Sequence, residues 1–130
     1  MHARVRDIGG NMDVEMVLKH IQQNQAIHGE NLSGLDFSGQ NLSGADLSGC
    51  DLSGCNFRNA NLRSSDLSDC NMQKSDFRGA DMSLASLYNS DLSGARLRRA
   101  NLTQANRTLA KITKWAMKGA YIAGPTAYTE

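Results

Sequence analysis

Ala45-Asp46-Leu47-Ser48-Gly49-Cys50-Asp51-Leu52-Ser53-Gly54 is one pattern read twice: small residue, acid, large apolar residue, serine, glycine. Followed in both directions, it puts a large apolar residue at every fifth position without a skip. The series is Ile27, Leu32, Phe37, Leu42, Leu47, Leu52, Phe57, Leu62, Leu67, Met72, Phe77, Met82, Leu87, Leu92, Leu97 and Leu102. A period of five fits neither a helix face, at 3.6 residues, nor the alternation of a strand, at 2. Sustained this far, it marks stacked structural repeats, each too small to bury its apolar side chain alone.

Two places before the large residues from Leu47 to Leu102, here called centres, stands a small one: Ala45, Cys50, Cys55, Ala60, Ser65, Cys70 and so on to Ala100. Residues two apart in extended backbone point the same way, so each unit sends one large and one small group inward. The remaining three positions are polar or glycine, suited to solvent and to a turn. The units match Ala-(Asp/Asn)-Leu-x-x over about residues 25–104, sixteen in a row, and the chain thereby resembles the pentapeptide repeat family. That resemblance implies an all-β solenoid, a right-handed quadrilateral β-helix in which four pentapeptides make one coil. Sixteen units then give about four coils, and at ~4.8 Å between strands a rod roughly 20 Å long.

A twenty-residue coil would stack positions twenty apart. Phe37, Phe57 and Phe77, the only phenylalanines, then share one column, capped by Leu97. The same register stacks Cys50 on Cys70, but parallel inward side chains make a disulfide torsion unfavourable. An odd number of cysteines and no apolar leader argue against a disulfide framework, and small buried side chains are the expected role.

Open strand edges at the ends of such a rod need cover. Over residues 13–23, Val14, Val17, Leu18 and Ile21 fall on one helix face, with Asn11 or Asp13 as N-cap. A second helix is expected over residues 106–118, with Leu109, Ile112, Trp115 and Ala116 on one side, and Gly119 as its stop. These short flanking helices cap the rod or, as in some relatives, form a homodimer contact. The expected organisation is an N-terminal tail and helix at 1–24, the β-helix at 25–105, and a C-terminal helix and tail at 106–130. The last stretch, residues 121–130 with Gly124-Pro125, reads as a loose tail or a segment ordered by a partner.

The 130 residues carry a net charge of +1, so no global field commits the chain to nucleic acid or membrane. No apolar run approaches a membrane span. The first ten residues hold Arg4 and Arg6 but no apolar stretch, so the expected location is the cytoplasm. His2, His20 and His28 are too scattered for a metal site, and no cofactor is implied. The aspartates preceding the centres interchange with asparagine (Asp36, Asn41, Asp46, Asn56), which suggests bonding to the local backbone rather than proton transfer. No nucleophile–base pair can be named, so the expectation is a protein that is not an enzyme. Four Asn-x-Ser/Thr sequons follow largely from the repeat formula and are not read as glycosylation sites.

What departs from the formula carries the functional expectations. Arg58, Arg78 and Arg98 follow the phenylalanine column and would stack on one face, with Arg63 on that face or the next. Such a column suits an acidic partner or phosphate groups. Leu84 and Tyr88 stand in outward slots where polar or small residues are the rule, and form a second candidate patch. The expected function is a rigid interaction or scaffold module for another protein. The alternative implied by the resemblance is a DNA-mimicking binder that inhibits or protects DNA gyrase. Duplex DNA carries about one charge per 1.7 Å, so mimicry over ~20 Å needs on the order of twelve negative charges. Between Glu30 and Ala105 there are nine acids and seven basic residues, a difference of only two negative charges. Direct binding of single-stranded nucleic acid is also poorly served, since Tyr88 is the one outward aromatic within the repeats.

Overall fold

The computed structural model describes residues 10–122; Arg4, Arg6 and the expected tail beyond Ile122 lie outside the described residues. The unit centred on Leu52 shows how five residues become one side of a coil. Leu52 and Cys55 both point inward and are buried. The Leu52 carbonyl accepts from the Cys55 amide at 3.3 Å, closing a β-turn whose third residue, Gly54, has φ of +66°. A positive φ at that turn position is why glycine is common there. Before the centre, the Asp51 carboxylate accepts from the Ser53 amide at 3.0 Å and the Ser53 hydroxyl at 2.7 Å. This is the local backbone bonding that lets asparagine and aspartate interchange in the slot.

Coils join through the same units. Leu52 N–H donates to the Asn71 carbonyl at 2.7 Å, Gly54 N–H to Gln73 at 2.9 Å, and Asp51 N–H to Glu30 in the coil below at 2.9 Å. All bridges are parallel and join residues twenty apart, as in Asn31 to Asp51, Asn71, Asp91 and Lys111. Twenty residues with a turn every five make a four-sided coil. Each side is wide enough for a single bridge, which is why no long strand forms.

The interior is a set of ladders. Phe37 and Phe57 stack with ring centroids 5.3 Å apart and 10° between planes; Phe57 and Phe77 follow at 4.9 Å and 2°. Leu97 is buried at the top of this column, and Met117 is buried one register step further on. The cysteines are free and buried. Their thiols donate to backbone carbonyls, Cys50 to Ile27, Cys55 to Leu32 and Cys70 to Leu47, at 2.7 to 3.0 Å.

The N-terminal end is covered by α1, Val14–Gln22, capped by Asp13, whose carboxylate accepts from the Met16 amide at 2.9 Å. Val17 is fully buried in the core cluster, and Val14, Met16, Leu18 and Ile21 pack partly against it.

The C-terminal end corrects the expectation of a helix over residues 106–118. Only α2, Lys114–Met117, is helical, with Thr113 as N-cap. Asn106 continues the repeat: its amide donates to Ala85, its carbonyl accepts from Leu87, and its side chain accepts from the Thr108 amide at 3.0 Å. Arg107 takes the centre slot and is buried, with its guanidinium 3.8 Å from the Met117 sulfur. The bridges continue to Lys111 and Tyr121, so the five-residue beat runs on through Ile112, Met117 and Ile122. Leu109 is therefore a turn tip at φ +61° and 65% exposed, Ile112 sits half-buried in a centre slot, and Ala116 is half-buried on α2.

Candidate functional site: the arginine face and its groove

The four-sided register gathers Arg58, Arg78, Arg96, Arg98, Arg99 and Lys118 on the side that carries the phenylalanine column, against Asp36 and Asp76. Asp76 sits at the focus of the lower part. Arg78 donates to it through Nε at 2.9 Å and through a terminal nitrogen at 2.7 Å, and Arg58 Nε lies 4.0 Å away. The hydrogen-bonded Arg78 guanidinium holds the Asp76 carboxyl below its ordinary range, with a smaller attraction from Arg58. The column is thus neutralised at its middle, while Arg96, Arg98, Arg99 and Lys118 toward the C-terminal end are exposed.

That end also holds a groove of about 820 Å³, bounded by Arg78, Arg96 and Arg98 on the coil and by Trp115, Ala116 and Lys118 above. It exists because α2 replaces a rung. Arg96 bridges down to Asp76, but among the described residues nothing in the coil above bridges to Arg96. Trp115 is 79% exposed, and the Lys118 ammonium lies 5.4 Å over its ring. A cation on an indole face is an attractive contact that also keeps the ring upright.

The other anticipated positions lie elsewhere. Arg63 is on the next face and reaches up to the Ser83 hydroxyl at 2.9 Å, a tie between coils. Leu84 shares that face and Tyr88 occupies the one after it, each 42% exposed, so they do not join the arginine column. Trp115, read from the sequence as an end-cap or dimer residue, is brought beside Arg96 and Arg98. Their approach depends on α2 displacing one rung, which the five-residue spacing by itself does not reveal.

Residues 31–69 and 65–104 match the family described as Pentapeptide repeats, in eight copies. The chain belongs to the pentapeptide repeat family. Among solved structures it is similar to alr5209, a pentapeptide repeat protein from Nostoc Pcc 7120, at 28% identity and a TM-score of 0.68, covering 85% of this chain and 96% of that one. It is also similar to HetL, a pentapeptide repeat protein involved in heterocyst differentiation regulation from Nostoc sp. strain PCC 7120. That match has 32% identity and a TM-score of 0.49, over 85% of this chain and 47% of HetL. AT2G44920, from the Arabidopsis thaliana thylakoid lumen, matches at 33% identity and a TM-score of 0.43, over 78% of this chain and 60% of that one. No curated protein matches the chain in sequence. The family match and the likeness to alr5209 imply the right-handed quadrilateral solenoid for this chain as well.

Within this pentapeptide repeat rod one set of side chains superficially suggests catalysis. His28 Nδ1 is 2.8 Å from the Ser48 hydroxyl, and Ser48 lies 2.8 Å from Asp46. The serine proton is directed to the carboxylate, as in every Asp-x-Ser unit here, leaving the imidazole as donor rather than base. A nucleophile–base pair needs the opposite order. Among the described residues no group of three His, Cys, Asp or Glu side chains could hold a metal ion, and no helix is long and apolar enough to cross a membrane.

Proposed function

We propose that this protein is a non-enzymatic, rigid interaction module that docks another protein on its arginine face. The observation that carries the reading is the convergence of exposed Arg96, Arg98 and Lys118 on a groove walled by Trp115. Exposed arginine and tryptophan together are the residue types that dominate binding energy at protein interfaces. The coil stack beneath is held by ladders of buried side chains, so these groups are presented with little ordering left to do on binding. A gyrase binder acting as a DNA mimic would need an acidic surface, and this face has the opposite sign.

The test is affinity capture from the native cell with the wild-type chain and with Arg58→Glu/Arg98→Glu. A specific protein partner retained by the first and lost by the second is expected. Retention by both would sink the reading. A homodimer through the C-terminal end is a second reading, favoured by Leu109, Trp115, Tyr121 and Ile122, which are all exposed there. Sedimentation of the wild type against Leu109→Ser/Tyr121→Ser checks it; a monomer in both cases removes it.

A further inference from the structure

The rod's backbone hydrogen bonds are regular enough for a gap in them to be read. From Ile27 to Leu102, each centre amide donates to a carbonyl in the coil above, as Leu92 does to Lys111 at 2.9 Å and Leu102 to Tyr121 at 2.7 Å. Leu97 is the exception: among the described residues its amide has no acceptor, because the segment that would supply one is wound into α2. The Gly94 amide lacks its rung for the same reason, whereas Asn89 keeps its bond to Thr108 at 2.9 Å. On the acceptor side, Ala100 receives the Tyr121 amide at 2.8 Å. The equivalent Ala95 carbonyl receives none, since the Ala116 amide turns to the Thr113 hydroxyl at 3.1 Å. A fourth group opens for a different reason. The amide after a centre normally donates to the Asx side chain, as Arg58 does to Asn56 and Arg78 to Asp76. Arg96 fills that slot with a side chain that can accept nothing, so the Arg98 amide is left without its bond.

All four groups belong to the stretch that floors the groove. Backbone polar groups in a protein are almost always matched by protein, water or ligand, so a run of donor, acceptor, donor and donor under an apolar wall asks for a complement. A phosphodiester or a lone carboxylate supplies acceptors but no donor for the Ala95 carbonyl. An extended peptide supplies both, at the spacing that the missing rung had.

We propose that the groove takes an extended acidic peptide segment of a partner protein, which completes the missing rung by strand addition. Its carbonyls accept from Gly94 and Leu97, and its amide donates to Ala95. Its acidic side chains meet Arg96, Arg98 and Lys118, and an apolar side chain lies on Trp115. The inference rests on the reading that the arginine face docks a protein, and adds where and in what conformation.

Trp115 is the only tryptophan, so its emission reports on the groove alone. The full chain is titrated with a capped heptapeptide of alternating Glu and Val. Parallel titrations use its Gln counterpart, a version N-methylated along one edge, inorganic phosphate, and a single-stranded oligonucleotide. Saturable binding is expected with the Glu peptide, at least about tenfold weaker with Gln or after N-methylation. Arg96→Asp restores the family's own residue to that slot, so the chain still folds; it recaptures the Arg98 amide, reverses the charge and abolishes peptide binding. Lys19→Glu, on α1 at the other end of the rod, leaves peptide affinity within about twofold, as expected for a distant screened charge. No saturation below ~1 mM, a dissociation constant too weak to matter, overturns the proposal. Equal binding of the N-methylated peptide, or full competition by phosphate or oligonucleotide, overturns it too. If Arg58→Glu/Arg98→Glu loses its captured partner while Arg96→Asp retains it, strand addition falls and the face-docking reading stands. If both variants keep the partner, the face-docking reading falls.

Discussion

Turn tips in the first coils and those that follow share one backbone conformation and differ in what occupies it. From Gly29 to Gly54 all six tips are glycine, with φ between +64° and +74°. Beyond them Asn59, Ser64, Asp69, Lys74, Leu84, Asn89, Arg99, Gln104 and Leu109 hold the same left-handed region at φ from +55° to +62°, with glycine only at positions 79, 94 and 119. A non-glycine residue there costs about 1–2 kcal/mol. The later coils bear that strain without a change of register, so the fold is not set by the tips. It is set by the inward pair, whose large member is buried alike from Ile27 to Leu102. In exchange, the strained tips put side chains such as Lys74, Leu84 and Arg99 on a surface that glycine leaves bare.

If the inward pair dominates, truncating it should be the most damaging change in either region. Phe37→Ala removes the first ring of the stack and is expected to cost about 3–5 kcal/mol. Leu97→Ala, in the other region but the same column, should cost about 2–5 kcal/mol. Denaturant unfolding of both variants checks this. A loss under 1 kcal/mol in one of them would show that the two regions differ in core as well as in surface.

Exchanging tips is the next largest effect, and its sign depends on whether a glycine is lost or gained. Gly54→Ala should lose about 1–2 kcal/mol by strain alone, since nothing lies near its missing Cβ. Gly79→Ala should lose a similar amount, because the Asn59 side-chain end that a Cβ there would meet is exposed and can swing aside. Leu84→Gly and Leu109→Gly should gain up to about 1 kcal/mol, the relieved strain less the added chain entropy. Thermal melts of the four variants decide the matter. Loss on introducing glycine at both leucine tips would mean that those side chains pack against something that holds them.

Most of this architecture is legible in the sequence because it follows from one rule applied many times. Phe37, Phe57 and Phe77 give the coil its length before any coordinate is known, and the interchange of Asp and Asn identifies a backbone-bonding slot. The C-terminal end is not legible for a specific reason. Arg107 stands where a large apolar residue is the rule, so the beat seems to stop and the segment reads as an amphipathic helix. The bridges in fact continue past it to Lys111 and, beyond α2, resume at Tyr121. The groove is hidden for a related reason: a single rung coiled into α2 brings Trp115 beside arginines about twenty residues away. Spacing finds what repeats, whereas the candidate site lies where one rung fails to.

Charge separates the regions more weakly. Asp76 has its pKa lowered in the folded chain, so its pairing stabilises above the unfolded value near 4 and is lost as pH falls below it. Asp36 and Asp91, whose carboxyls accept from Ser38 and Ser93, follow the same direction. Asp76→Asn keeps the amide contact to the backbone, as Asn56 does one coil below, and removes only the charge. Its expected cost at pH 7 is under about 1 kcal/mol, shrinking as pH falls below about 4 and through the lowered folded pKa. A pH-independent cost would assign the residue a packing role instead of an electrostatic one.

The smallest expected change concerns the cysteines, which lie where the two regions meet. Burial pushes the Cys70 thiol up to about 12 and Cys55 to about 11, and raises Cys50 in the same direction. Each stays a protonated donor to a backbone carbonyl at neutral pH. Alanine stands in the same slot at Ala45, Ala60 and Ala80, so Cys→Ala keeps the inward small group and loses one weak sulfur hydrogen bond. Stability below pH 9 should fall by less than about 1 kcal/mol per site. The wild type alone should lose further stability as pH rises toward 11, because its unfolded thiols ionise first. A thiol reagent at pH 8 tests the same picture kinetically. Labelling at the rate of global unfolding is expected for all three; faster labelling of Cys50 alone would show that the coils under α1 open before the rest of the rod.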